Sequence, residues 1–380
     1  MTGYDRYFTP DHDLVRRVAR EWVTAEIIPH VNEWEEAAGF PRDLYARAAA
    51  IGLLGIGYPE AYGGTPGDLF MKIVAWEEVA RCGSGGLGAS LGSHDIALPP
   101  IVAFGTPEQR DRMLPAVLSG QSIAALAVTE PGGGSDVAGL RTTAVRDGDD
   151  YIVNGSKTFI TSGVRADQFT VAVRTGGEGH HGISLLVIDA DAPGFTRSGP
   201  LAKMGWWASD TAELFFDNCR VPAANLIGEE NMGFYAIMEN FQKERLQLSV
   251  GANINAELAL EACLAYAAER RAFGKPLTGF QVLRHKLVDM ATRVEVSREY
   301  TYRVAARMNA GEDQVTEVSM AKLFATEASD FVTNEAVQIF GGYGYMRGYL
   351  VERLYRDNRI LSIGGGTTEV MKEIIAKRLL

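Results

Sequence analysis

The sequence predicts an α+β multidomain fold with an N-terminal α-helical domain, a middle β domain and a C-terminal α-helical bundle. The main observation is a change of hydrophobic period, which is helical at first, alternates as in strands in the middle third, and becomes helical again. We therefore predict domains at residues 1–120, 121–230 and 231–380. The middle domain is expected to be a sandwich or barrel, and the long antiparallel helices at the end favour a four-helix bundle.

The N-terminal third contains two strong helix-start signals. Thr9-Pro10 and Thr106-Pro107 each combine a hydroxyl N-cap with a proline at the first helical position. Gln109 follows Thr106 at the spacing of a capping box, and the alanine-rich run 44–54 predicts another helix.

Short apolar runs identify the middle third. The segment 151–160 predicts a β-hairpin that turns at Asn154-Gly155, because Asn-Gly is a preferred two-residue hairpin turn. Residues 168–173, 183–188 and 213–216 predict further strands. After residue 230, the helical period predicts long helices, which cover 233–271, 280–309, 313–340 and 367–378.

Composition and charge exclude several classes of protein. The 380 residues are 46% hydrophobic and 22% charged, as in a typical soluble globular protein. The net charge of −11 argues against a nucleic-acid-binding surface, which would need a basic patch.

We expect no membrane span, and no metal site at His180-His181, which lack further ligands at useful spacing. The first 20 residues show helical spacing rather than a signal pattern, so a cytoplasmic protein is expected.

Glu244 is the first candidate for a catalytic side chain. On the helix predicted from residue 233, it shares one apolar stripe with Ile237, Phe241 and Leu248. A carboxyl group on such a stripe should have a raised pKa, which suits it to remove a proton from carbon near neutral pH. A carboxylate paired with an arginine of a neighbouring helix would give the same pattern, so periodicity leaves both interpretations open.

Four segments combine glycine with polar or basic residues. They are Thr129-Glu130-Pro131-Gly132-Gly133-Gly134-Ser135-Asp136, Arg270-Arg271-Ala272-Phe273-Gly274-Lys275, Gln338-Ile339-Phe340-Gly341-Gly342-Tyr343-Gly344 and Gly364-Gly365-Gly366-Thr367-Thr368-Glu369. In this order and spacing they resemble the FAD-dependent acyl-CoA dehydrogenase family, from about residue 5 to the end of the chain. The order of helical, β and helical regions matches the fold of that family.

The resemblance implies α,β-dehydrogenation of an acyl-CoA thioester to the trans-2-enoyl-CoA, in which a base removes the α-proton and FAD N5 accepts the β-hydride. Most family members carry the base just before a Gly-Thr near the C-terminus, where this chain has Gly365. A subset resembling the long-chain and isovaleryl enzymes carries it in a Glu-Arg-Leu segment, which matches Glu244-Arg245-Leu246. The resemblance thus implies that Glu244 is the base and that the Gly365 N–H helps to stabilise the enolate oxygen.

The resemblance also implies contacts with FAD and with the substrate. The residues expected to contact FAD within one subunit are Leu126, Val128, Thr129, Ser135, Phe159, Ile160 and Thr161. Those expected at the pyrophosphate, adenine or adenosine part, in part across a subunit interface, are Arg270, Phe273, Gln281, Gln338, Gly341, Gly342, Thr367 and Glu369. Ser135 and Arg245 are expected to bind substrate, although a surface salt bridge is an equal alternative for Arg245. Phe159 replaces the usual tryptophan, which keeps an aromatic face and removes the indole donor.

The resemblance further implies a homotetramer built as a dimer of dimers, an electron-transferring flavoprotein as electron acceptor, and a role in fatty acid β-oxidation on medium to long or branched acyl chains. Three alternatives stay open: a flavin oxidase or monooxygenase of the same fold, a dehydrogenase of acyl groups on a carrier protein, and a non-catalytic acyl-CoA-binding subunit. Trp206-Trp207 departs from the family pattern, so packing in the core, at an interface or near the CoA entrance is expected there.

Overall fold

The computed structural model describes residues 4–380. The helical spacing predicted for the first 20 residues includes residues 1–3, which lie outside the described range. Within residues 4–120 there are eight α-helices. Their bounds are α1 Pro10–Glu26, α2 Val31–Glu36, α3 Asp43–Ala50, α4 Leu69–Ala80, α5 Gly85–Leu91, α6 His94–Ala97, α7 Pro99–Phe104 and α8 Pro107–Leu118.

The predicted starts of α1 and α8 are confirmed. Thr9 is the N-cap of α1, and Thr106 forms the predicted capping box with Gln109, whose backbone N lies 3.2 Å from Thr106 Oγ1. The helix predicted over 44–54 is α3, but it ends at Ala50. Gly52 follows with a φ of +79°, a left-handed conformation that commonly terminates helices.

Eight strands of the middle region belong to one mixed sheet. Their bounds are β1 Ala124–Ala127, β2 Thr143–Asp147, β3 Asp150–Thr161, β4 Gln168–Arg174, β5 Ile183–Asp189, β6 Phe195–Arg197, β7 Thr211–Pro222 and β8 Leu226–Ile227. The order is β6-β7-β3-β2-β4-β5-β8, and β1 pairs with β4 in parallel. The predicted strands at 168–173 and 183–188 are β4 and β5, and the run 213–216 lies inside the longer β7.

The predicted hairpin turn at Asn154-Gly155 is wrong. β3 runs through this point, where β7 carries one extra residue and the register shifts between Val153 and Gly155, as in a β-bulge. The chain turns earlier, at Gly148, between β2 and β3. Gly155 is needed because a Cβ there would lie 2.7 Å from the Thr142 Cα. Here the Asn-Gly pair marks a close approach of two backbones rather than a turn.

Helices return after residue 232, interrupted by a small hairpin. The bounds are α9 Gly233–Glu269, β9 Arg271–Ala272, β10 Lys275–Pro276, α10 Gln281–Asn309, α11 Val315–Phe340, α12 Leu350–Asn358 and α13 Thr368–Leu379. The four predicted helices are α9, α10, α11 and α13, whereas α12 was not predicted. α11 packs against the other four and forms the centre of the bundle. Within residues 4–380, none of the helices has both the length and the apolarity that crossing a membrane requires.

One hydrophobic cluster connects all three regions. It contains Ile101 of α7, Leu185 of β5 and Ile237 of α9, all fully or almost fully buried. Because Glu244 follows Ile237 by about two helical turns, this packing also fixes the position of Glu244 relative to the sheet.

Candidate active site

A cavity of about 1110 Å³ lies where the three regions meet. Its walls come from α4 and α5, from the ends of β1 and β3, from α9, and from the turn that precedes α13. Phe234 and Asn255 both line it and lie almost six turns apart on α9, about 32 Å along the helix axis. The cavity therefore has room for an elongated ligand.

The predicted site residues divide into two groups. The cavity is lined by Leu126, Val128, Thr129, Ser135, Phe159, Ile160, Thr161, Glu244, Arg245, Gly365 and Thr367. The remaining predicted residues lie away from it and are all exposed, namely Arg270, Phe273, Gln281, Gln338, Gly341, Gly342 and Glu369. The structure thus brings together the candidate base, Gly365 and the residues expected to contact FAD within one subunit. Most of the residues expected at a subunit interface lie outside the cavity.

Glu244 faces the cavity from α9 beside Gly365. A Cβ placed on Gly365 would lie 3.5 Å from Glu244 Oε1, and Oε2 is buried without a hydrogen-bond partner among the described residues. Burial raises the pKa of Glu244 to about 7, against the opposing positive charges of Arg245 and Lys322. The sequence left open that Glu244 pairs with an arginine of a neighbouring helix. No such pairing is observed at Glu244 Oε2 among the described residues.

The turn before α13 presents its backbone to Glu244. Gly365 and Gly366 have φ values of +64° and +97°, which glycine adopts without strain. A Cβ on Gly365 would lie 2.5 Å from Leu248 Cδ1, so a larger residue requires Leu248 to move. The carbonyl of Gly365 accepts a hydrogen bond from Arg245 Nε at 3.4 Å. Arg245 is only 5% exposed, which is inconsistent with a surface salt bridge.

Lys322 of α11 also belongs to this site and is not among the residues predicted from the sequence. Its Nζ donates to the Gly366 carbonyl at 2.6 Å, and burial lowers its pKa to about 8. A signal was present in the sequence. The buried polar residues Ser319, Lys322, Thr326, Ser329 and Thr333 recur every three or four positions along α11.

The β domain forms the opposite wall. Thr158 N donates to the Thr129 carbonyl at 2.9 Å and so joins the segment after β1 to β3. Glu130 accepts hydrogen bonds from Lys157 Nζ and from Thr142 N, both at 2.8 Å, which anchors the glycine-rich loop. The carboxylate of Glu130 is thereby used to hold the loop in place.

Phe159 is turned toward the cavity by a β-bulge. The register of β3 against β7 shifts between Lys157 and Ile160, and Phe159 has a φ of +59°. Its side chain is 70% exposed although it lies on the cavity wall. A large aromatic ring held in this way is suited to pack against a planar ligand.

Trp206 and Trp207 lie in a turn and have different surroundings. Trp206 lines the cavity, and its backbone N donates to Asp357 Oδ1 at 2.6 Å. Trp207 lies between two guanidinium groups, with Arg347 Cζ and Arg356 Cζ at 4.3 and 3.7 Å from the ring centre. Trp206 therefore forms part of the cavity wall, whereas Trp207 packs between two arginines and does not line the cavity.

The family models match almost the whole chain. The acyl-CoA dehydrogenase N-terminal domain matches residues 9–121, the middle domain residues 125–219, and the C-terminal domain residues 231–380. The helical, β and helical regions follow the same order. The chain belongs to the acyl-CoA dehydrogenase family, whose members are FAD-dependent oxidoreductases.

Relatives in sequence and in structure agree with this assignment. The long-chain specific mitochondrial acyl-CoA dehydrogenase of Mus musculus is 41% identical over 386 residues, which cover 100% of this chain and 88% of the relative. A probable acyl-CoA dehydrogenase from Mycobacterium abscessus has a TM-score of 0.97 at 54% identity, covering 98% of this chain and 100% of that chain. A glutaryl-CoA dehydrogenase from Mycobacterium smegmatis in complex with FADH2 has a TM-score of 0.93 at 29% identity, with coverages of 99% and 96%.

Proposed function

We propose that this protein catalyses FAD-dependent α,β-dehydrogenation of an acyl-CoA thioester, with Glu244 as the base that removes the α-proton. The observation that supports this most directly is the state of Glu244. It faces the cavity beside Gly365, with one buried oxygen that has no hydrogen-bond partner in the described chain and a pKa of about 7. Such a carboxylate is a stronger base than a solvated one and is still substantially ionised at neutral pH.

The α-proton of a thioester is weakly acidic, so the site must stabilise the negative charge that develops on the thioester oxygen. We propose the backbone N–H of Gly365 as a donor to that oxygen. The buried positive charges of Arg245 and Lys322 lie next to the same turn. In a site that excludes water, such preorganised groups stabilise a developing anion strongly. We propose that Ser135 and Arg245 also contribute to substrate binding.

The lining of the cavity fits FAD. One wall of the cavity is formed by the exposed aromatic ring of Phe159, by Thr129 and Thr161, and by the exposed loop 132–134. We propose that FAD is held there together with Leu126, Val128, Ser135 and Ile160. When bound, FAD supplies the acceptor for the hydride that leaves Cβ.

We propose that the second half of the cofactor site is completed by another subunit of a homotetramer built as a dimer of dimers. Phe273 is 95% exposed and Val282 of α10 is 62% exposed, and large exposed apolar groups of this kind commonly mark interfaces. The proposed cross-subunit contacts come from Arg270, Phe273, Gln281, Gln338, Gly341 and Gly342, and Thr367 and Glu369 are proposed at the adenosine part. Arg270 suits a diphosphate, since arginine forms charge-assisted pairs with phosphate groups.

We propose a medium to long acyl chain as substrate. Gly88 and Gly92 line the cavity on the side of α5, where they leave room that side chains would occupy. We further propose an electron-transferring flavoprotein as acceptor, a role in fatty acid β-oxidation and a cytoplasmic location. Domain boundaries near residues 120 and 230 are proposed from the short connections at 119–123 and 228–232.

An anaerobic titration of the purified protein with a panel of acyl-CoA esters tests the proposed function. We expect the absorbance of oxidised flavin to bleach, most strongly for one range of chain lengths, and not to bleach in Glu244→Gln. A bound flavin that no acyl-CoA reduces would contradict the proposal and favour an oxidase, a monooxygenase or a carrier-bound substrate. A protein that retains no flavin would instead favour the non-catalytic alternative.

A further inference from the structure

We propose that Lys322 is a positioning residue of this site, which fixes the glycine turn beside Glu244 together with Arg245 and places a buried positive charge near that carboxylate. This inference rests on the proposed role of Glu244 as the base.

The first argument is the flexibility of the turn. Residues 364–366 are three consecutive glycines, the residue type that loses most conformational freedom when its backbone is ordered. Two successive carbonyls of this turn accept hydrogen bonds from buried cations on different helices. Arg245 Nε of α9 donates to Gly365, and Lys322 Nζ of α11 donates to Gly366. The bond from Lys322, at 2.6 Å, is of the strong, charge-assisted kind, and the bond from Arg245, at 3.4 Å, is longer, so Lys322 contributes most to holding the turn between the helices.

The second argument is the burial of Lys322. Its side chain is 1% exposed, and the only hydrogen bond of its ammonium group within the described residues is the one to the Gly366 carbonyl. A buried ammonium is unfavourable unless negative charge compensates it. The negative charge that stabilises the protonated form of Lys322 is that of Glu244, whereas Arg245 opposes it. The lysine therefore has an electrostatic partner across the site, although the two groups do not form a direct ion pair.

The third argument concerns the groups that face Glu244. Burial raises the pKa of Glu244, and the charges that oppose this rise are Arg245 on the same helix and Lys322 from α11. The glycine turn contributes no ionisable side chain. On the side of α4 and α6, Lys72, His94 and Asp95 also line the cavity, where Asp95 pairs with Lys72 and lies 3.7 Å from His94 Nε2. On the side of the β domain, Glu130 pairs with Lys157, and Asp136 accepts a hydrogen bond from Gly139 N. Lys322 thus supplies, from a neighbouring helix, a positive charge that limits the rise in the pKa of Glu244.

The proton affinity of Glu244 can be measured without turnover. The infrared band of the protonated carboxyl group is followed against pH in the purified holoprotein, and it is assigned by its loss in Glu244→Gln. In Lys322→Met we expect the midpoint to rise by on the order of one pH unit, because a nearby opposite charge that favoured the carboxylate is removed. Lys322→Arg should restore most of the shift. A melting curve establishes that each variant is folded.

Lys203→Met is the matched control. Lys203 also has a pKa lowered to about 8 by burial, and it donates to Thr211 Oγ1 at 2.9 Å, but it neither lines the cavity nor affects Glu244. We expect the Glu244 midpoint to stay unchanged in this variant. An unchanged midpoint in folded Lys322→Met would overturn the electrostatic part of the inference.

Lys322→Gln removes the charge but keeps a hydrogen-bond donor, so it distinguishes the two roles of Lys322. This variant also replaces Lys322→Met in the experiment if Lys322→Met does not fold. The amide can still donate to Gly366, so hydrogen exchange of the Gly364 N–H, which donates to the Ile360 carbonyl at 2.8 Å, should stay slow while the midpoint of Glu244 rises. In Lys322→Met the exchange should become faster as well. Exchange that stays slow in Lys322→Met would overturn the positioning part. If Glu244→Gln instead retains normal turnover, the proposed base is wrong, whatever the behaviour of Lys322.

Discussion

Glu244 and Gly365 lie next to each other in the candidate site, where a Cβ on the glycine would lie 3.5 Å from Glu244 Oε1. The resemblance implies that most family members carry the base at the position of this glycine. In this structure a carboxylate lies beside that position on α9, as the proposed role of Glu244 requires.

Replacement of Glu244 by glutamine is expected to abolish turnover while FAD stays bound. The amide keeps the shape of the side chain but cannot accept the α-proton, and loss of a general base costs about 10²–10⁴-fold in rate. Stopped-flow measurement of flavin reduction by an acyl-CoA checks this prediction. Glu239→Gln is a suitable control, because Glu239 is exposed on the same helix and does not line the cavity. Similar rates in both variants would exclude Glu244 as the base.

The rate of flavin reduction should rise with pH through about 7. The pKa of Glu244 is raised to about 7 by burial, and only the ionised carboxylate can accept the α-proton. Below pH 7 the group becomes protonated, so the rate should fall about tenfold for each further pH unit. The pH profile of kcat/KM with a non-ionising acyl chain provides the measurement. A limb near the usual glutamate pKa, or no acidic limb at all, would contradict the assignment.

Gly365→Ala is expected to be strongly destabilising. The residue has a φ of +64°, and the added methyl group would lie 2.5 Å from Leu248 Cδ1. Backbone strain of this kind costs about 1–3 kcal/mol, and the steric clash adds to it. Thermal or urea unfolding measures the change in the free energy of unfolding.

Two further variants distinguish backbone strain from steric clash as causes of the lost stability of Gly365→Ala. Gly364→Ala should have little effect, since its φ is not in the left-handed region and its Cβ would meet only the Ile360 carbonyl at 3.6 Å. In the background of Leu248→Ala, the additional loss caused by Gly365→Ala should become smaller, because the clash is removed and the strain is left. If Gly365→Ala is as stable as the native protein, residue 365 does not require the left-handed backbone conformation with a φ of +64°.

Much of this architecture could be predicted from the sequence, for reasons that individual residues make clear. The capping residues at Thr9 and Thr106 act locally, so they determine where helices begin whatever packs against them. The prediction at Asn154-Gly155 is wrong because the same dipeptide occurs in hairpin turns and in bulges, and the nearby Thr142 determines which of the two forms here. Lys322 was missed because its partner carbonyl at Gly366 is 44 positions away in the chain.

The cofactor contacts could be predicted only in part for a related reason. Residues such as Phe159 and Thr161 line the cavity of one chain, so the resemblance and the structure place them together. Arg270 and Gln338 lie outside that cavity. Their proposed role depends on a surface of another subunit, and neither the spacing of residues nor the fold of one chain determines that surface.

Arg270→Ala is expected to weaken FAD retention without unfolding the subunit. Arg270 is exposed at the end of α9, and the hydrogen bond between its backbone N and the Tyr266 carbonyl does not depend on the side chain. The ratio of flavin to protein after gel filtration, at several protein concentrations, measures the effect. Arg303→Ala removes an exposed arginine from α10 and should leave the flavin content unchanged. Equal flavin content in both variants would contradict the proposed cross-subunit contact.

Gly92→Leu is expected to shift the preference toward shorter acyl chains. A Cβ at residue 92 would lie 3.1 Å from the Gly88 carbonyl oxygen and 3.4 Å from Gln247 Nε2, and Gln247 follows Glu244 by almost one turn of α9. A leucine side chain should therefore enter the cavity about one helical turn beyond the base. Long acyl-CoA esters should lose kcat/KM by at least about tenfold, which corresponds to the exclusion of a few methylene groups. Short esters serve as the internal control, because they end before this point and should be oxidised at the native rate. A uniform loss for all chain lengths would show that the substitution disturbs the site itself, and an unchanged profile would show that the acyl chain does not pass Gly92.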